Sequence, residues 1–228
     1  MRNKIFQWLW FKIIKPLTKV GKKDIDNPLT QNTKRFMRQI FWSKFFRGPD
    51  YILLGHSNMA VITESYDAMS EFNGLVLGLA QGGTTATDYL IYFCSAEGRQ
   101  FFNKIKKMKI VCSLAGNYAL QNKMKDAYDG LRAFHDLFPN SIIINEPPAR
   151  YGWLEKFEGN ITAEEWKKRF VELNKMISEI WQERVIDVYS FVNNLDLSDD
   201  EKILVFKDIV HYNKYAVLAI ATFLRTVF

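Results

Sequence analysis

Tyr51-Ile52-Leu53-Leu54-Gly55-His56-Ser57-Asn58-Met59-Ala60 is the stretch on which the fold turns. Four apolar residues closed by a glycine read as a buried parallel strand. Gly55 allows a sharp turn, and Ser57 then arrives at the carboxyl end of the strand as a helix begins. Ligands of open α/β sheets bind at such ends. A serine placed there carries its hydroxyl on a rigid turn, and the amides of the helix N-terminus face any negative charge that develops on a bound carbonyl. An ordinary N-cap serine sits in the same kind of position without doing chemistry, so the neighbouring segments decide between the two.

Outward from this strand, apolar runs recur at Gly74–Ala80, Lys109–Leu114, Ser141–Asn145 and Val185–Phe191. The segments between them, Met59–Glu71, Thr84–Lys107, Tyr118–Phe138 and Thr162–Glu183, are each long enough for one or two helices. Strands alternating with helices predict parallel βαβ units, hence a three-layer α/β/α domain with a central parallel sheet of about five strands. Lys214–Val227, apolar at helical spacing, is the expected closing helix.

The strand ends carry distinctive chemistry. Gln81-Gly82-Gly83-Thr84-Thr85 follows the second strand, where glycines let backbone amides approach a ligand. Ala115-Gly116-Asn117-Tyr118 follows the third and offers a side-chain amide. Asp208-Ile209-Val210-His211 follows the fifth, after the acidic run Asp196–Glu201. A spacing of three lets Asp208 hold the His211 imidazole, whose other nitrogen can face a serine. Each piece is commonplace alone; four at successive strand ends, in one order, are not.

This order resembles the SGNH (GDSL-type) hydrolase family over about residues 49–228. The family's Gly-Asp-Ser appears as Gly55-His56-Ser57, its second-block glycine as Gly82, its third-block asparagine as Asn117, and its Asp-x-x-His as Asp208-Ile209-Val210-His211. The resemblance implies the flavodoxin-like SGNH fold and a serine esterase needing no cofactor or metal. Ser57 would be the nucleophile, His211 the base and Asp208 its orienter, with the Ser57 and Gly82 amides and the Asn117 side chain as the oxyanion hole. The implied substrate is a small-molecule, glycan or lipid ester, with O-acetyl groups an expectation by analogy. Acyl transfer on the same triad and a silent binding domain on the same fold are the alternatives. His56 and Tyr118 replace two acidic residues of the family pattern; with Asn58 and Tyr212 they are the remaining pocket candidates. Adjacent residues at a strand end point to opposite sides, so His56 is expected to face away from the Ser57 hydroxyl and to bond loop backbone.

The 228 residues are 48% hydrophobic with a net charge of +6. Residues 1–50 hold 12 Lys or Arg against 3 Asp, which leaves the remainder of the chain at −3. The chain therefore reads as a basic aromatic helical extension, residues 1–48, ahead of a mildly acidic hydrolase-like domain, residues 49–228. That division excludes nucleic acid as the partner inferred from overall charge. Within the extension Phe6, Leu9, Trp10, Ile13 and Leu17 fall on one helical face with Lys4, Lys12 and Lys15 opposite, and Pro16 is expected to end or kink the helix near Lys15. Lys34–Arg47 reads as a second basic aromatic helix. Such faces lie in membrane interfaces or cover the protein's own body or a second copy. No run approaches the roughly 20 apolar residues that span a bilayer. Cys94 and Cys112 lack metal-ligand neighbours and are expected to be buried and unpaired, in keeping with a cytoplasmic setting.

Overall fold

A computed structural model describes residues 1–17, 28–147, 162–193 and 212–227. Five parallel strands, β1 (Tyr51–Gly55), β2 (Val76–Ala80), β3 (Ile110–Ser113), β4 (Ile142–Ile144) and β5 (Val185–Ile186), form one sheet in the order β2-β1-β3-β4-β5. The chain winds to one side of β1 and then crosses to the other, so a topological switch point opens between β1 and β3. The register sets Gly55 level with Ala80 on one side and Ser113 on the other. Three strand ends therefore finish at one height, where the α/β rule places ligands.

The helices are α1 (Arg2–Leu9), α2 (Lys15–Leu17), α3 (Pro28–Ser43), α4 (Ser57–Glu64), α5 (Tyr66–Glu71), α6 (Ala86–Cys94), α7 (Ala96–Ile105), α8 (Gly116–Leu120), α9 (Met124–Leu137), α10 (Ala163–Trp181), α11 (Val188–Asn193) and α12 (Lys214–Val227). Alternation along the strands divides the interior into two cores. Ile52, Leu54, Leu77 and Cys112 face α3, α6, α7, α9 and α10, while Leu53, Val76 and Val111 face α4, α5, α11 and α12. This is the three-layer α/β/α architecture expected from the alternation of strands and helices.

Three local expectations are corrected, on the fifth strand, on the buried face of α1 and on Cys94. The run Val185–Phe191 is a two-residue strand followed by helix α11, not one long strand; its β-branched and aromatic residues fill the core beside α12 from a helix. Pro16 sits in a helical stretch that is described as far as Leu17. A π-helical stretch, Trp10–Ile14, precedes it, with the Lys15 N–H bonded to the Trp10 carbonyl, and this wider turn carries the chain through a residue that lacks an N–H. The inward face of α1 is also rotated: Asn3, Phe6, Gln7 and Trp10 are buried, whereas Ile13 is exposed.

That rotation has a structural cause. β2 is an edge strand, and the α1 amides satisfy its open backbone: Gln7 Nε2 donates to the Val76 carbonyl at 2.7 Å, and the Val76 N–H donates to Asn3 Oδ1 at 3.4 Å. Asn3 Nδ2 also donates to the carbonyls of Met69 and Phe72. On α3, Asn32 Nδ2 donates to the Ala80 carbonyl. A helix covering an edge in this way removes a site for unwanted strand pairing. Of the two cysteines expected to be buried, Cys112 is, but Cys94, at the end of α6, is exposed; neither is paired.

Candidate functional site

Ser57 opens α4 directly beyond β1, with His56 as the N-cap. The turn is tight enough to demand glycine at position 55, because a Cβ there would lie 2.4 Å from Met59 Cβ and 2.8 Å from the Ser113 carbonyl oxygen. Ser57 is half-buried. The loop after β2 lies against it, since a Cβ at Gly82 would stand 3.8 Å from Ser57 Cβ. That loop is fixed from both sides. Thr85 and Asp88 form a capping box at the start of α6, and the buried Asn117 on α8 donates from Nδ2 to the Thr84 carbonyl at 2.7 Å. Ser57, Gly82 and Asn117 are thus gathered at one rim by the ends of β1, β2 and β3.

His56 turns into the protein. Its Nδ1 accepts the Asn58 N–H at 3.3 Å, which leaves the ring proton on Nε2, and Nε2 donates to Glu146 Oε1 at 2.7 Å. The Ser113 hydroxyl donates to the same carboxylate oxygen at 2.8 Å. Glu146 follows β4 and is buried, as are His56 and Ser113. Burial alone would push the Glu146 carboxyl up; the facing His56 ring, the Ser113 hydroxyl and the Gly116 N–H together hold it below the usual range. Its backbone is clamped by Asn174 on α10, whose side chain both accepts the Glu146 N–H and donates to the Glu146 carbonyl. The sequence shows no acid near His56 before Glu64, yet this carboxylate arrives from 90 residues away. Its one signal in the sequence is its position after a strand at the same rim.

Ser113, His56 and Glu146 have the residue types of a triad but not its geometry. In a working triad the serine and the carboxylate meet opposite ring nitrogens. Here both meet Nε2, at 3.1 and 2.7 Å, and Nδ1 is occupied by backbone. This cluster is a buried brace between the ends of β1, β3 and β4.

The other pocket candidates divide. Tyr118 is fully buried, its hydroxyl bonded to the Thr87 N–H and hydroxyl at 2.9 and 2.7 Å, so it pegs α8 to α6. Asn58 Oδ1 accepts the Tyr212 N–H at 3.4 Å. Tyr212 is buried, and burial together with the nearby Glu146 charge pushes its hydroxyl far up, so it stays neutral. Asp208, His211 and the acidic run Asp196–Glu201 lie outside the described residues. Among the described residues, no group of three His, Cys, Asp or Glu side chains is placed to hold a metal ion.

No family model and no curated protein matches the sequence, but solved structures match the shape. A protein from Slackia heliotrinireducens assigned as an SGNH hydrolase superposes with a TM-score of 0.57 at 14% identity, over 77% of this chain and 96% of its own. A GDSL-like lipase from Bacteroides thetaiotaomicron gives 0.59 at 11% identity, over 87% and 97%. The acetyl xylan esterase AlAXEase gives 0.54 at 13%, over 78% and 100%. With its strand order, its three layers and these likenesses, the chain has the SGNH-hydrolase fold.

Proposed function

We propose that the protein is a serine esterase in which Ser57 attacks an ester carbonyl. His211 takes the hydroxyl proton and Asp208 orients the imidazole and stabilises its charged form. The Ser57 amide, the Gly82 amide and the second N–H of the Asn117 amide receive the oxyanion, each donor being worth about 10²–10³ in rate. Water then releases the acyl group. The observation that carries this reading is the gathering of Ser57, Gly82 and Asn117 at the switch point. A second supports it: Tyr212, the residue after His211, bonds Asn58, the residue after Ser57. A short acyl ester, such as an O-acetyl group on a glycan, is the substrate class we favour, by analogy with neighbours of this fold.

Ser57→Ala, Asp208→Ala and His211→Ala are each expected to lower hydrolysis of a short-chain aryl ester by orders of magnitude, with losses that do not add because the three act as one unit. Activity is expected to rise with pH as His211 loses its proton. Wild-type turnover by purified Ser57→Ala would refute the assignment, and a wild-type protein inert toward all esters would favour a silent binding domain.

A further inference from the structure

We propose that the amino end of the sheet, opposite the Ser57 rim, is a docking surface for an anionic lipid bilayer. α3 begins at the rim, where Asn32 bonds the Ala80 carbonyl, and runs down the edge strand. At about 1.5 Å per residue its last turn lies roughly 15–20 Å below. The short 3-10 turn Lys44–Phe46 then leads, five residues on, into Tyr51 at the amino end of β1.

This lower turn presents Phe41, Trp42 and Phe45 at 56%, 40% and 72% exposure. Their rings touch one another, Phe41 edge-on to both Trp42 and Phe45, so they form one raised apolar knob. Large apolar clusters exposed on a soluble fold mark a surface that meets something. Phe6 and Phe46 meet edge to face at 5.6 Å, which brings the start of α1 alongside. There Ile5 and Trp8 are also about half exposed.

The surroundings are basic. The described residues 1–17 and 28–49 contain no Asp or Glu. Lys44 and Arg47 flank the knob and are exposed. α7 packs beside α3, with Phe36 and Phe101 edge to face, and ends in Lys106 and Lys107 at the same end of the sheet. Those lysines, Lys109 and Arg184 border a depression of about 510 Å³ that no acidic residue lines. Of the acids at this end, Asp50 is ion-paired with Arg2 and Glu71 with Arg225, while exposed Glu183 stands beside Arg184.

Aromatic residues with a collar of cations fit a lipid surface, the rings entering the headgroup boundary and the lysines meeting phosphates. A symmetric second copy would set this basic end against itself. Three rings packed against one another, Phe41 edge-on to the other two, do not form the spaced platforms on which nucleic-acid bases stack. Among the described residues no helix is long and apolar enough to cross a membrane, so the contact is peripheral. Docked this way, the Ser57 rim faces water.

The test uses the full chain and vesicles of phosphatidylcholine alone or with about one-third phosphatidylglycerol. Co-sedimentation is expected with the anionic vesicles only, weakening as salt rises from about 0.1 M. Phe41→Ser/Trp42→Ser/Phe45→Ser and, separately, Lys106→Glu/Lys107→Glu are each expected to weaken binding at least tenfold. Thermal melts check folding, and the exposed lysine pair decides if the aromatic variant does not fold. The proposal is overturned if the wild type ignores both vesicles, or if the folded variants bind as it does. It is equally overturned if the chain ignores vesicles while forming a dimer that the aromatic variant dissolves, or while binding a fluorescent oligothymidine.

Discussion

His56 accepts one hydrogen bond from the helix it caps, which an aspartate would accept as well, and donates one to a carboxylate at the end of another strand, which depends on its being an imidazole. An aspartate at this position, the residue of the related family pattern, would set a second carboxylate against buried Glu146. Two buried carboxylates in contact cannot both ionise. His56→Asp is therefore expected to cost about 3–5 kcal/mol, a Tm drop on the order of 10 °C for a chain of this size. Glu146→Gln added to it is expected to restore much of that loss, and differential scanning calorimetry of the single and double variants measures both. Glu146 also sets an acid limit. Its carboxyl is held below its ordinary value of 4.5 in the folded protein, so its contribution is present above that pH and is lost as pH falls through the folded value. In denaturant titrations from pH 7 to pH 3, Glu146→Gln should flatten the acid loss of stability. At this scale the sequence was partly legible. Ser57, Gly82 and Asn117 announce themselves because each lies within a few residues of a strand end. Glu146 does not, because its partner is distant in the chain and a glutamate before Pro147 looks like any loop residue.

The elements follow the hydrophobic pattern wherever burial is apolar and depart from it where burial is polar or strained. β1 to β4 and the helices between them were readable from alternation and run length. The α1 face was not, since it is keyed by Asn3 and Gln7 to the open backbone of β2 rather than by its apolar spacing. α11 was missed because its Val and Phe residues favour strands while their neighbours pack as a helix. These amide contacts make a specific demand. Gln7→Leu removes the donor to the Val76 carbonyl and leaves that buried group unpaired, a cost of about 1–3 kcal/mol. Urea unfolding is expected to show that loss, with faster hydrogen exchange along β2. A variant with unchanged stability and unchanged exchange would show that α1 is not what covers the edge.

At the scale of the whole molecule, one sheet separates two surfaces of opposite kind. The carboxyl ends gather Ser57, the glycine loop and Asn117 over a braced carboxylate–imidazole pair. The amino ends gather lysines and an aromatic knob on helices that also shield the edge strand. The fold class was evident from five runs and their spacing; the polarity of the two ends was not, because it arises only when helices from residues 1–48 are laid alongside strands far from them in sequence. The esterase mechanism turns on which serine reacts. Wild-type protein treated with an aryl fluorophosphonate and mapped by peptide mass spectrometry is predicted to carry a single adduct, on Ser57, with none on buried Ser113 and none in His211→Ala on the same timescale. Absence of any adduct on folded protein, or an adduct on a different residue with Ser57 unmodified, would contradict it.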